Sequence, residues 1–154
     1  MNYINSHLWL LYLISLVLAS LAYTVIDIHS LDPVCCVEAA GYAAVPDIIV
    51  VFGLWLLKRE HMIPATIIAV LCCLVTAFAV WIFWADSKSH DIFSVKLTAI
   101  VAGILCIIAF ILCFVCFAGN LSKILLTSCC LCGMISVAYI FGYLTAFGKG
   151  MGGP

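Results

Sequence analysis

Residues 97–117 read LTAIVAGILCIIAFILCFVCF, a stretch that contains no charged side chain. At about 1.5 Å per residue, a helix of this length crosses the roughly 30 Å hydrocarbon layer of a bilayer. Lipid offers no water to backbone N–H and C=O groups, so a chain that crosses it must satisfy these groups internally. The stretch therefore predicts a transmembrane α-helix.

The whole chain has the composition of an integral membrane protein that lies largely in the lipid bilayer. Of its 154 residues, 68% are apolar and 8% are charged, against about 45–50% and 25% in soluble globular domains. The 6 Lys and Arg residues are scattered and the formal net charge is −1. This pattern excludes a nucleic-acid-binding protein, which needs a basic patch. It also excludes a soluble globular domain and a disordered chain.

Five apolar runs of this kind follow one another along the chain. We predict an all-α membrane protein, a polytopic bundle of five transmembrane helices in a single domain over residues 1–154. The predicted spans are 8–28, 34–57, 62–84, 92–118 and 122–147. The glycine-rich end, residues 148–154, predicts a flexible C-terminal tail.

The first run allows a second interpretation, as a signal peptide. Residues 8–18 form an apolar core, and Ser20-Leu21-Ala22 fits a small-x-small cleavage site. The segment before the core has no Lys or Arg, although signal peptides carry positive charge there. We therefore expect the first helix to be retained, whereas cleavage would leave a bundle of four helices.

The orientation in the membrane depends on a few charges. Positively charged connections lie preferentially in the cytoplasm. The two faces carry three Lys or Arg residues each, but the Lys58-Arg59 pair is the only cluster among them. We therefore expect the N-terminus and the 58–61 connection to be cytoplasmic, in an endomembrane or the plasma membrane.

Asp47 is the most informative polar residue. Counted back from Lys58, it lies about 16 Å deep, near the middle of the hydrocarbon layer. Pro46 removes one helix hydrogen bond, so we predict that the second helix is kinked or broken there. Asp47 would then begin a half-helix and meet water, the interpretation we favour, or belong to an ion or proton pathway. Glu38, one turn from the exposed end, is a second intramembrane carboxylate candidate and is expected to be solvated.

Ten cysteines make the chain cysteine-rich, and eight of them lie inside apolar runs. We expect most of them to pack as small apolar side chains. Cys113-x-x-Cys116 and Cys129-x-x-Cys132 have the spacing of a four-thiolate zinc site. Counted along their helices, however, they lie at depths too different to share one ion, so we expect no metal and no cofactor. Cys116, near the predicted cytoplasmic face, is a candidate lipidation site.

Small residues recur four positions apart, the spacing at which membrane helices pack closely. The pattern marks the second, fourth and fifth predicted helices. The residues are Ala39 and Ala43, Ala99 and Gly103, and Ala138, Gly142 and Ala146. They favour contacts within the chain, with other transmembrane subunits, or between copies in a homo-oligomer.

No catalytic motif accompanies the helices, since Walker, HExxH and GxSxG sequences are all missing. The serines within the spans, Ser15 among them, are expected to have no His or Asp at a matching depth. We therefore expect a non-enzymatic accessory, scaffold or assembly subunit that packs against other membrane proteins. The first alternative is a small oligomeric transporter or channel for ions, protons or small solutes that uses Asp47. The second alternative is a membrane enzyme that uses thiols or a metal.

Overall fold

The computed structural model describes residues 7–27, 32–89, 93–117 and 119–151. Within these residues it contains five α-helices and no strand. The helices are α1 (Leu8–Ile26), α2 (Pro33–Lys58), α3 (Met62–Ser89), α4 (Phe93–Cys116) and α5 (Leu121–Met151). All five are long and apolar enough to cross a membrane, which confirms the prediction of an all-helical chain with five such helices.

Two helices extend four or five residues beyond their predicted ends. α3 continues to Ser89, five residues beyond the predicted end at residue 84. α5 continues to Met151, so the first four residues of the predicted tail are helical, while 152–154 lie outside the described residues. A helix that leaves the membrane still gains one backbone hydrogen bond for each residue added. The glycines near the end of α5 therefore do not stop it.

α2 passes through Pro46 without interruption. Of the two predicted outcomes, a kink or a break, the continuous helix rules out the break, and a kink is the effect that proline has in a continuous helix. Proline removes one backbone hydrogen bond, whereas a break would free several backbone groups where no water can satisfy them. Asp47 consequently lies inside a continuous helix rather than at a helix start.

The start of α2 and the end of α5 meet in a polar cluster. Asp32 Oδ1 accepts a 3.0 Å hydrogen bond from the backbone N–H of Val34. Pro33 occupies the first turn, where a backbone N–H would have no acceptor within the helix, so its missing N–H costs no hydrogen bond. Lys149 Nζ lies 3.6 Å from Asp32 Oδ2 and donates to the Tyr23 hydroxyl at 3.2 Å. The end of α5 is therefore tied to both α1 and α2.

α5 is the central helix of the bundle and contacts each of the other four. Buried residues make up 61% of its apolar stretch, against 11% of the stretch in α4. α2 packs between α1 and α3, and all three lie against α5. α4 contacts mainly α5 and touches α1 and α3 only lightly, so it is the most peripheral helix.

Two glycines let neighbouring helices approach α5 closely. A Cβ atom added to Gly142 would lie 2.6 Å from the Cβ of Ala22 and 2.9 Å from the backbone nitrogen of Tyr23. A Cβ atom added to Gly133 would lie 2.5 Å from the Cβ of Cys72. Both distances are shorter than van der Waals contact, so α1 and α3 can pack this closely only because α5 has no side chain at these two positions.

We predict that Gly142→Ala lowers the free energy of unfolding in detergent by about 1–3 kcal/mol, because the added methyl group forces α1 away. Gly148→Ala is the matched control, since it lies in the same helix and its added Cβ atom would meet nothing within 4 Å. Denaturant unfolding, followed by the modification of the buried Cys130 thiol, measures both variants. Equal stability would contradict the close approach of α1 and α5.

Candidate functional site

Asp47 is completely buried, with 0% of its surface exposed. Its Oδ2 atom accepts a 2.7 Å hydrogen bond from the hydroxyl of Ser15 on α1, which is 2% exposed. The expectation that Ser15 has no carboxylate at its depth is therefore wrong. Counted from the connection between α1 and α2, Ser15 lies about 18 Å and Asp47 about 22 Å along the helices. That count from the shared connection is the signal that would have predicted the pair.

The other carboxyl oxygen of Asp47, Oδ1, is buried and has no hydrogen-bond partner among the described residues. Leaving one polar group buried without a partner costs about 1–3 kcal/mol. The described ion pairs Lys123–Glu60 and Lys149–Asp32 lie at helix ends, so neither offsets this cost. The expectation that Asp47 meets water at a helix start is wrong, because the side chain is enclosed by protein.

Apolar residues enclose the Asp47–Ser15 pair along both helices. One turn away, Ala19 and Ala43 pack against Val137 of α5. On the other side of the pair, Val50 and Leu11 belong to a second apolar cluster. The pair is therefore a polar contact between two apolar layers, and it joins α1 to α2.

Most of the predicted small-residue faces pack inside the bundle. Ala39 and Ala43 are completely buried on α2, and Ala138 and Gly142 are buried on α5. Ala146, a turn further along, is partly buried. These residues occupy helix contacts within the chain.

The small-residue face of α4 differs from the others. Ala99 is only partly buried and Gly103 is exposed, and a Cβ atom added to Gly103 would meet nothing within 4 Å. The small-residue face of α5 is therefore buried against α1, whereas the face of α4 with the same spacing is open at Gly103.

Two grooves flank α4, and α5 forms the floor of both. The α1–α4 groove has a volume of about 300 Å³ and is walled largely by leucine and valine side chains. The α3–α4 groove has a volume of about 280 Å³ and contains Ala79, Ala99, Gly103 and Ser136. Tyr139 lines both grooves, and neither groove is lined by Asp47 or Ser15.

Tyr139 carries a second buried group without a partner. The residue is 4% exposed, and its hydroxyl has no hydrogen-bond partner among the described residues. Its ring stacks on that of Tyr143, whose hydroxyl donates to Asp86 Oδ1 at 3.1 Å. One tyrosine of this pair is thus satisfied and the other is not.

The CxxC cysteines of α5 face different helices. Cys129 lies beside Cys73 of α3, with 3.3 Å between the two Sγ atoms. Cys132 Sγ lies 3.9 Å from the backbone carbonyl oxygen of Cys106 on α4. Within the described part of the chain, no group of three or more His, Cys, Asp or Glu side chains is arranged to hold a metal ion.

The remaining sequence candidates lie near helix ends. Cys113 is buried and Cys116 is exposed, so the other CxxC motif is also divided between two environments. Cys116, the candidate lipidation site, is the last residue of α4. Glu38 is exposed near the start of α2 and takes no part in the buried pair formed by Asp47.

Comparison with protein-family models, with curated proteins and with solved structures finds no match to this chain. Inferences about function therefore depend on three features of the described residues. These are the buried Asp47–Ser15 pair, the open small-residue face of α4 and the contact between the Cys73 and Cys129 thiols.

We predict that Ser15→Ala lowers the free energy of unfolding by about 1–3 kcal/mol, because Asp47 then lies buried without a hydrogen bond. Asp47→Asn keeps the acceptor and leaves stability nearly unchanged. Ser128→Ala is the control, since this buried hydroxyl bonds only a carbonyl of its own helix and its loss is smaller. The double variant Ser15→Ala/Asp47→Leu should regain stability over Ser15→Ala. Denaturant unfolding in detergent checks all four, and a Ser15→Ala variant as stable as Ser128→Ala would contradict the role of the pair.

Proposed function

We propose that the protein is a non-enzymatic accessory subunit of a membrane complex and packs through α4 against a transmembrane helix of another protein. The observation that carries the proposal is the open space at Gly103 of α4, one turn beyond Ala99, which packs partly against α3 and α5. Small residues at this spacing let two helix backbones approach closely. A partner helix that packs there would complete a contact that the chain itself leaves open.

The three small-residue faces support this proposal when they are compared. Ala39 and Ala43 are buried within the chain, as are Ala138 and Gly142. Gly103 lies at the same spacing from Ala99, but a Cβ atom added to it would meet no other atom within 4 Å. Since this chain buries the other small-residue faces in helix contacts, the exposed one is best explained by a contact with another molecule.

The α3–α4 groove has a shape and chemistry that suit side chains of a partner helix. Its small residues form a depression into which a ridge of side chains can pack. Ser136 donates to Thr76 Oγ1 across the groove at 3.2 Å, and Thr76 donates to the carbonyl oxygen of Cys72, so the Ser136 oxygen keeps its capacity to accept. In lipid, helices associate through such close packing and hydrogen bonds rather than through the hydrophobic effect.

The alternative function, transport through Asp47, has one observation in its favour. The unpartnered Oδ1 atom could exchange a proton or bind water. Against transport, apolar layers lie on both sides of the Asp47–Ser15 pair, and the two grooves beside α4 do not reach it. A conduit needs a polar, water-filled path, so the accessory function is the better supported of the two.

We predict that Gly103→Leu releases the protein from its complex, because the larger side chain holds the partner helix away. The measurement is the size of the particle extracted from native membranes with a mild detergent. Gly41→Leu is the matched control, since Gly41 also lies in a helix, is exposed and has open space around an added Cβ atom. Gly41→Leu should leave the particle unchanged.

A photo-crosslinking amino acid at residue 107, one turn beyond Gly103 on α4, identifies the contact. The expected adduct joins α4 to a transmembrane segment of another protein and disappears in Gly103→Leu. A particle that Gly103→Leu leaves intact would contradict the proposal. An adduct between two copies of this chain would contradict the part that names another protein.

We also predict that liposomes containing the purified protein show no proton or cation flux above that of protein-free liposomes. The physical reason is the apolar enclosure of Asp47, which leaves no hydrated path. A pH-sensitive dye and a potassium-selective electrode measure the two fluxes. Flux that is present in the native protein and lost in Asp47→Asn would support transport and overturn the accessory function.

A further inference from the structure

The thiols of Cys73 on α3 and Cys129 on α5 are in direct contact, with 3.3 Å between their Sγ atoms. Both cysteines are free, and they lie 56 positions apart in the sequence. Because a disulfide bond has a sulfur–sulfur distance of about 2.05 Å, the two atoms would need to approach by about 1.3 Å to form one. The packing of α3 against α5 therefore places these thiols where an interhelical disulfide can form.

Cys73 lies near the middle of the membrane and faces the lipid. It is 11 residues after Met62 and 13 residues before Asp86, the two ends of the apolar stretch of α3, which places it about 16–20 Å from either end. Its side chain is exposed, and the neighbouring Leu71 and Leu74 are 50% and 61% exposed. A reagent that reaches Cys73 therefore arrives through the hydrocarbon layer.

The adjacent cysteines of the same two helices form a second thiol pair in a different environment. Cys72 and Cys130 hydrogen-bond to each other through their thiols, and they are 4% and 0% exposed. Cys72 also packs closely against Gly133 of α5. The two pairs join the same helices but differ in their exposure to lipid, so the buried pair is an internal control for access.

The position of the exposed pair limits the chemistry that can oxidise it. Thiol–disulfide exchange and attack on a peroxide both start from a thiolate. A charged group is costly at the centre of a bilayer, so these routes are disfavoured there. Removal of a hydrogen atom creates no charge, and lipid peroxyl radicals, which form on the acyl chains themselves, react in this way. The location of Cys73 therefore favours a lipid peroxyl radical as the oxidant.

We propose that Cys73 and Cys129 form a redox modification site at which lipid peroxyl radicals convert the two thiols into an interhelical disulfide. A first peroxyl radical takes the hydrogen atom of the Cys73 thiol and becomes a hydroperoxide, which leaves a thiyl radical on Cys73. The hydrogen atom of the Cys129 thiol then passes to Cys73 Sγ across the 3.3 Å contact. A second peroxyl radical takes this hydrogen atom from Cys73.

Each sulfur atom now carries one unpaired electron, and the two electrons pair in the new S–S bond. In total, two thiols and two peroxyl radicals give one disulfide and two hydroperoxides, without a charged intermediate. The contact between the thiols is essential to this outcome, because an isolated thiyl radical in lipid has only acyl chains from which to take a hydrogen atom. The product is a covalent link between α3 and the central helix α5.

The test uses the purified and fully reduced full-length protein in liposomes of polyunsaturated phosphatidylcholine. A lipid-soluble azo initiator generates peroxyl radicals under air, and the remaining thiols are then alkylated in a denaturing detergent. Mass spectrometry of unreduced peptides measures each disulfide. Cys73→Ala and Cys129→Ala each remove one thiol of the pair, and Cys116→Ala is the matched control, since it removes another exposed cysteine.

We predict a disulfide between Cys73 and Cys129, with a yield at least tenfold above that of any disulfide that includes Cys72 or Cys130. The bond is absent in Cys73→Ala and Cys129→Ala, and Cys116→Ala changes its yield less than twofold. A lipid-soluble phenolic radical scavenger lowers the yield at least tenfold. Hydrogen peroxide added to the water phase gives less than a tenth of the yield, because its reaction requires a thiolate.

Three results would overturn the proposal. The first is the absence of the intrachain disulfide after exposure to peroxyl radicals, including its replacement by a bond between two copies of the chain. The second is an equal yield from the buried pair, which would show that access from lipid does not select the site. The third is an equal yield with hydrogen peroxide or in the presence of the scavenger, which would assign the reaction to an ionic oxidant. The accessory function is tested separately, since its variant changes Gly103 on α4.

Discussion

The fold depends on the close approach of α5 to its neighbours. In lipid there is no hydrophobic effect to drive helices together, so they stay together through shape and through polar contacts. Gly142 leaves room for the backbone of α1, and Gly133 leaves room for Cys72 of α3. The arrangement of residue types follows from this requirement. Small and hydroxyl-bearing residues are concentrated on the buried surfaces of α5, whereas the isoleucines of α4 are largely exposed.

The buried polar groups add specificity that shape alone would not provide. The hydrogen bond from Ser15 to Asp47 fixes the axial position of α1 relative to α2, because sliding α1 along α2 would leave the carboxyl group without any partner. Near the end of α5, the contacts of Lys149 with Tyr23 and Asp32 fix the axial position of α5 relative to the same two helices. α4 is the least buried helix among the described residues, and the hydrogen bond from Ser94 to the carbonyl oxygen of Ile26 ties its first turn to α1. The open features of the protein are accordingly found beside α4.

The number and type of the helices could be predicted from the sequence, because the membrane imposes them on each segment separately. A run such as 97–117 must be helical whatever surrounds it. Within one segment, Pro46 left a kink or a break open, and the continuous helix gives up one hydrogen bond rather than several. The prediction failed where the outcome depended on a second segment. Asp47 suggested contact with water, but Ser15, which lies 32 residues away in the sequence, supplies the partner.

The same limit applies to the small residues. Ala99 and Gly103 lie four residues apart, as do Ala138 and Gly142. A single sequence cannot show which of these two faces packs against a neighbouring helix. Only the assembled bundle shows that one face is buried and the other open. Tyr139 drew no attention in the sequence, since a tyrosine in a membrane helix is unremarkable until its hydroxyl is found buried and unpartnered.

The central position of α5 has a consequence for how the protein is made. Translation proceeds from the N-terminus, so α1 to α4 enter the membrane before the helix that all four contact. At about 5–20 residues per second, synthesis of the 31 residues of α5 takes roughly 2–6 s. During that interval Ala22 and Cys72 face lipid or an insertion factor instead of their glycines. A ribosome that stalls within α5 therefore leaves the preceding helices without their common contact.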